Sequence, residues 1–232
     1  GIILTMLLLK LIELLLTDPT QFALALIILV VPLLISITVH EWAHGMTAYL
    51  LGDPTPKLQG RLSFNPFAHL DPAGTLMLFI VGIGWAKPVE INPNNIHGRH
   101  KLMLVALAGP LSNFIMAIIF IFALYFLITT FGQGELAPMS IFVATLLGFI
   151  IRINLALGMF NLIPLPPLDG ANIIAPLLPD SIARAWWRLA PYSIPILLLL
   201  MFTGGISYIF TFADWLSKFL LVQVDSLMTK LL

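Results

Sequence analysis

Thr38-Val39-His40-Glu41-Trp42-Ala43-His44-Gly45 lies inside the apolar run from Phe22 to Leu51. Its reading decides the fold, because it puts a metal-binding pattern where a membrane helix belongs. On a helix, residues four apart share a face, so His40 and His44 can offer imidazole nitrogens to one ion. Glu41 sits beside that face, within reach of the proton of a metal-bound water. The bland alternative is a pair of core histidines with a glutamate between them. Hydrocarbon makes that alternative expensive, since ionisable residues inside a membrane are rare and usually functional.

The surrounding chain agrees with a membrane setting. Of 232 residues, 59% are hydrophobic and 9% charged, and the mean hydropathy is +1.03. A soluble domain carries about 25% charge. The chain therefore reads as an all-α polytopic membrane protein with five to six transmembrane helices. It forms a single membrane-embedded domain over 1–232, with a catalytic core at about 22–178 and C-terminal helices at 190–232. The formal net charge is zero, which gives no reason to expect a nucleic-acid partner. There is no cysteine, so a metal must be held by His, Asp or Glu.

From Gly1 to Leu16 the chain is apolar apart from Lys10 and Glu13, and either spans or lies on the membrane. It has neither a basic start nor a small-residue cleavage site, so no cleavable signal is expected. Asp18 or Thr17 should cap the next helix, with Pro19 in its first turn. Pro32, eight residues before His40, should kink that helix. The region Gly52 to Lys101 has a different texture, rich in Pro, Gly and Asn. Its apolar piece, Gly74 to Trp85, is too short to cross and reads as re-entrant. Lys57 to Ser63 and Trp85 to Ile91 read as extended, giving a partly extended, β-hairpin-like segment after the histidine helix. Such backbone must line a cavity or be buried in protein.

Further spans are expected at Leu102 to Phe131, Met139 to Ile163 and Pro195 to Phe212, with Trp215 to Leu232 either spanning or interfacial. Arg152 lies mid-span and needs a partner that the sequence does not identify. Asn113 is polar inside hydrocarbon, so it bonds another helix or faces the metal cavity. Asn161-Leu162-Ile163-Pro164-Leu165-Pro166-Pro167-Leu168-Asp169-Gly170 cannot stay helical through its prolines. Asp169 follows that break, either as a ligand or as an ordinary helix cap. Trp186, Trp187, Arg184 and Arg188 form a membrane-surface belt.

If both middle spans cross, the loops holding Lys57, Arg61, Lys87, Arg99, Lys101, Arg184 and Arg188 share one side. The positive-inside rule makes that side cytoplasmic. A catalytic zinc keeps three protein ligands and one open position. The candidates for the third are Asp169, Asp71, His69, His97 and His100. The loop histidines read as solvated or interfacial, and Asp71 as a turn residue; membrane burial favours Asp169.

Five stretches together resemble the site-2 proteases, a family of intramembrane zinc metalloproteases. They are His40-Glu41-Trp42-Ala43-His44; Gly60 to Pro66 with Asp71-Pro72-Ala73-Gly74-Thr75; Gly84-Trp85-Ala86-Lys87-Pro88-Val89; Ala108-Gly109-Pro110 with Asn113; and Asn161 through Gly170. The resemblance implies one Zn2+ per chain held by His40, His44 and Asp169, and Glu41 as the base. It also implies that the region between Lys57 and Ile91 guides a transmembrane substrate in the lipid bilayer. Asn113 is a candidate for stabilising an oxyanion. The expected location is the cell membrane, with the active site towards the cytoplasm. A regulatory membrane partner or a homo-oligomer is compatible with this reading. No stretch is long and polar enough for a PDZ or CBS domain, as in the minimal form of the family. Many relatives follow Asp-Gly with Gly or Ser and then a basic residue; here the pair is Ala171-Asn172. The alternative function is a non-proteolytic zinc transporter or scaffold.

Overall fold

The computed structural model describes residues 10, 13–81, 84–131 and 137–231. Most of the first expected segment, and residues 132–136 of the loop after Phe131, lie outside them. The described helices are α1 (Pro19–Leu50), α2 (Thr55–Leu58), α3 (Pro72–Val81), α4 (Arg99–Phe131), α5 (Ala137–Asn161), α6 (Asp169–Ile174), α7 (Asp180–Trp187), α8 (Ser193–Phe202) and α9 (Gly205–Leu231). Among the described residues, five stretches are long and apolar enough to cross a membrane: α1, α4, Met139–Asn161 of α5, the run Asp180–Phe202, and Gly205–Lys230 of α9. The protein is integral to a membrane.

The local rules are visible at both ends of α1. Asp18 caps it, accepting from the amides of Thr20 (3.1 Å) and Gln21 (3.0 Å), with Pro19 as first helical residue. This satisfies two donors that a helix start leaves free. At the other end Gly52 adopts φ +110°, a conformation that costs a side-chain-bearing residue energy. That turn lets the Asp53 amide reach back to Ala48 O at 3.0 Å and the Gly52 amide to Tyr49 O at 3.1 Å, closing the helix as a Schellman motif.

The core is built by α4 packed on α5, with α1 and α9 each packed against both. Ala117, Ile121 and Leu124 of α4 pack with Ile151, Leu155 and Ala156 of α5 and with Ala213 and Val224 of α9. Small residues at these contacts let the helices approach, which matters in a bilayer, where lipid is as apolar as leucine.

Several expectations change in detail. Lys57 to Ser63 is not extended, because Thr55–Leu58 turns as a short helix behind Pro54 and Pro56. The hairpin-like pairing is limited, among the described residues, to one antiparallel bridge between Leu70 and Ala86, with the Lys87 amide donating to His69 O at 2.9 Å. The prolines and asparagines on either side interrupt any longer ladder. The apolar piece read as re-entrant is α3, only ten residues long. The span expected from Pro195 to Phe212 is broken: α8 stops at Phe202, Gly204 takes φ +82°, and α9 starts at Gly205. Periodicity alone did not reveal this glycine-permitted turn inside an apolar run.

Asp53 anchors the non-helical segment that runs past the end of α1. It is fully buried and accepts from Thr55 N (3.1 Å), Thr55 Oγ1 (2.6 Å), Asn92 N (2.7 Å) and Asn95 Nδ2 (2.8 Å). Burial pushes its pKa up, but the hydrogen bonds from Thr55, Asn95 and Asn92 outweigh that and leave it below the usual carboxylate value. A folded-state pKa below the unfolded value stabilises the fold above that unfolded value, and the contribution fades as pH falls through the folded one. Asp53→Ala should leave four donors unpaired and cost about 2 kcal/mol or more. Thermal unfolding in detergent should show the loss at neutral pH and a smaller difference from wild type in acid.

Candidate metal centre

Pro32, Ser36, His40 and His44 recur every four residues, so they form one stripe on α1, and all four are buried. The two imidazoles meet edge-on at 4.7 Å between centroids. They press against α4 at Gly109, where an added Cβ would meet His44 Nε2 and lie 2.7 Å from His40 Cε1. A glycine is required there because any side chain would occupy the space of the rings.

Asp169 arrives from the other direction. The helix α5 ends at Asn161, the prolines open the chain, and α6 restarts with Leu168 as its cap, without a side-chain capping bond. The carboxylate is therefore free of capping duty. Its Oδ2 lies 3.1 Å from His40 Nε2 and 3.3 Å from His44 Nε2, and the two Nε2 atoms are 3.1 Å apart.

The protonation of these atoms follows from their neighbours. His44 Nδ1 is 2.7 Å from Val105 O, which can only accept, so Nδ1 donates. His40 Nδ1 is 2.6 Å from Asn113 Oδ1. The Asn113 amide is oriented by its Nδ2, which donates to Ser36 O (3.2 Å) and Asn154 Oδ1 (2.9 Å). Asn154 is oriented in turn, its Nδ2 donating to Ile150 O (2.9 Å) and Ser36 Oγ (2.8 Å). Ser36 Oγ donates to Pro32 O at 2.7 Å. Each imidazole thus spends its N–H at Nδ1, and in the neutral form its Nε2 carries a lone pair.

Two nitrogen lone pairs and one carboxylate oxygen therefore face each other without a donor between them, and Asp169 Oδ2 is buried with no hydrogen-bond partner. Three such atoms repel unless a cation joins them. A tetrahedral zinc site with bonds of about 2.0–2.1 Å has ligand–ligand edges of roughly 3.3–3.4 Å. The observed 3.1–3.3 Å spacing fits that ion. The His-His-carboxylate donor set is one used by catalytic zinc.

Glu41 and all three of these residues line one cavity of about 520 Å3, bordered also by Pro88, Val89, Asn161 and Trp187. Glu41 Oε2 accepts from the Val89 amide at 3.2 Å. The non-helical stretch after Trp85 therefore touches the candidate base through its backbone. Glu41 Oε1 has no hydrogen-bond partner among the described residues.

The remaining candidates separate cleanly. Asp71 accepts from the Gly74 amide at 2.7 Å at the start of α3. His97 and His100 are exposed. His69 is fully buried rather than solvated, with Nε2 2.8 Å from Ser63 O. Among the described residues, the group placed to hold a metal is His40, His44 and Asp169. Asn113 is brought to the site, where its carboxamide bonds His40, Ser36 and Asn154. Asn154, Ser36 and the Val105 carbonyl were not singled out from the sequence. The four-residue spacing of Ser36 from His40, and a second asparagine inside an apolar span, are signals that could have identified two of them.

The comparisons with known proteins agree with this chemistry. YwhC of Bacillus subtilis (strain 168), named as a candidate zinc metalloprotease, is 41% identical over 183 residues, 78% of this chain and 83% of the relative. The family model described as Peptidase family M50 matches residues 128–203, the stretch containing the proline break and Asp169. The chain belongs to peptidase family M50. These are the site-2 proteases, so the protein is a membrane-embedded zinc metalloprotease. Rip2 of Mycolicibacterium smegmatis (strain ATCC 700084 / mc(2)155), named in the same way as YwhC, is 28% identical over 208 residues, 87% of this chain and 77% of the relative. No solved structure gives a significant match. Membership sets aside the transporter and scaffold readings of the protease.

Removing the group that orients a metal-binding imidazole costs 10- to 100-fold in affinity as a rule. Asn113→Ala should therefore lower the zinc affinity of the protease by about that factor. Competition with a graded series of chelators checks it, and Asn154→Ala should act in the same direction more weakly.

Proposed function

We propose that this protease hydrolyses a peptide bond within or beside the transmembrane segment of membrane-protein substrates, as in regulated intramembrane proteolysis. The observation that carries the reading is the meeting of Asp169 Oδ2 with two imidazole lone pairs in a cavity that Glu41 shares. His40, His44 and Asp169 hold one zinc, and Glu41 is the general base. A zinc ion held there would supply Lewis acidity to a water and to the scissile carbonyl. Glu41 takes the water proton at its uncommitted Oε1 and passes it to the departing amine nitrogen. The Val89 amide donating to Oε2 keeps the carboxylate correctly turned. Asn113 acts through His40, holding its Nδ1 proton, and not on the substrate.

A helical substrate shields its own peptide bonds by hydrogen bonding, so it must unwind to be cut. The stretch carrying Pro88, Val89 and Ile91 borders the cavity without being helical. It offers main-chain groups to an unwound segment, in the way an exposed strand edge recruits a peptide. The site faces the cytoplasmic side of a cell membrane. In support, Lys57, Lys87, Arg99, Lys101, Arg184 and Arg188 lie in the segments joined to the site's end of α1, α4 and α5. His44 lies six residues, about 9 Å, from the end of α1 at Leu50, so water reaches the cavity from that side.

Glu41→Gln should retain zinc in metal analysis while cleavage of a model membrane substrate falls by about two to four orders of magnitude. Undiminished cleavage would falsify the assigned base. Asp169→Asn should lose zinc at chelator concentrations that leave wild type loaded; an unchanged metal content would remove Asp169 from the ligand set.

A further inference from the structure

Away from the metal centre, α5 and α9 carry a charged cluster that the protease chemistry does not use. Arg152 Nη2 is 2.8 Å from Asp214 Oδ1, and Lys218 Nζ is 2.6 Å from Asp214 Oδ2. One carboxylate thus serves two cations, leaving the cluster with a net single positive charge. The side chains are 49%, 34% and 69% exposed for Arg152, Asp214 and Lys218, so they face outward from the bundle and not into it. Ionisable groups in membrane spans are normally turned to the interior, to water or to a partner.

Depth decides what the cluster can meet. Arg152 lies nine residues, about 14 Å, from the end of its span at Asn161, and thirteen, about 20 Å, from Met139. Lys218 lies about 20 Å from Gly205 and about 18 Å from Lys230 along α9. Lipid headgroups sit at the edges of a hydrocarbon core about 30 Å thick. A carboxylate carried at mid-depth is the counter-charge that fits this position. Donors are available for it: an ammonium has three N–H groups and a guanidinium five, of which the cluster engages one each. Beside the charges, α9 presents an apolar face. Phe212, Trp215 and Phe219 stack at 5.4 and 5.5 Å between centroids and are about half exposed. They occupy the next stripe round the helix from Asp214 and Lys218, while Ala213, Ser217 and Val224 face the bundle.

We propose that the Arg152–Asp214–Lys218 cluster, with the aromatic stripe beside it, docks a single membrane-spanning helix that carries a carboxylate near its middle. The aromatic rings provide the packing surface and the unbalanced cation selects the acid. The site lies on the outer face of α5 and α9 and is separate from the metal-binding cavity, whose lining includes none of these residues.

The test uses the full chain in phosphatidylcholine nanodiscs and two labelled single-span peptides that differ only in a central Glu or Gln. Energy transfer to the labelled protease reads binding without any cleavage. The Glu peptide is expected to bind about three- to thirty-fold more tightly, the range of an interhelical polar contact in a bilayer. Lys218→Gln and Arg152→Gln should each reduce that preference. Because Lys218 is outward-facing, its variant keeps the test sound even if Arg152→Gln does not fold. Equal binding of the two peptides overturns the proposal, as does a preference unchanged in both variants. A preference that disappears in phosphatidylglycerol-rich discs assigns the cluster to lipid headgroups and overturns it as well.

Discussion

The metal centre depends on a constraint of sign. Each histidine must give its only neutral-state proton to Nδ1 so that Nε2 faces Asp169 as a lone pair. Two acceptors enforce this, the Val105 carbonyl for His44 and the Asn113 carboxamide for His40. Were either ring turned, its N–H would reach Asp169 Oδ2 and the site would close on itself as an ordinary buried hydrogen bond. The arrangement instead leaves three negative ends within 3.3 Å, which is stable only around a cation. Much of the bundle serves this one requirement. Ser36 and Asn154 exist in it to tell Asn113 which way to point, and Gly109 to make room for the rings.

Magnitudes show why such a polar chain survives in an apolar bundle. A polar side chain in hydrocarbon without a partner costs several kcal/mol, whereas an interhelical hydrogen bond in a membrane contributes only about 0.6–2 kcal/mol. The chain from Pro32 O to His40 is therefore not a source of large stability. Its value is directional: every member is satisfied in one orientation only, and that orientation ends at the metal-facing nitrogen. The Asp53 clamp works similarly on the other side of the cavity. By holding Asn92 and Asn95 under the end of α1, it places the stretch whose Val89 amide meets Glu41. A structural carboxylate at one end of α1 thus helps aim the candidate base three turns earlier.

Local chemistry alone accounts for a large part of this. The apolar runs, the Asp18-Pro19 start, the four-residue recurrence of His40 and His44 and the proline break before Asp169 are rules about near neighbours in the chain. Each could be read from the residues, and each stands where expected in α1, α4, α5 and α6. Where reading failed, the missing information was of a different kind. The turn at Gly204 looked like the middle of a span because hydrophobicity continues through it. Lys57 to Ser63 reads as extended because the helix that enters it, Thr55–Leu58, has too few residues for a helical period to show.

What the sequence determined by itself is the membrane setting, the long helices α1, α4 and α5, and two of the three metal-facing residues, since these rest on composition and on spacing within one helix. What only the tertiary structure decided is everything that joins residues far apart in the chain: that Asp169 and not Asp71 meets the histidines, that Asn113 serves His40, that Asp214 is the partner of Arg152, and that Val89 reaches Glu41. The physical reason is that a side chain's hydrogen-bonding capacity is written in its residue type, but its partner is set by which helices pack together. That choice comes from the close fit of small residues such as Gly109, Ala117 and Ala213, and not from the polar groups whose meeting it permits.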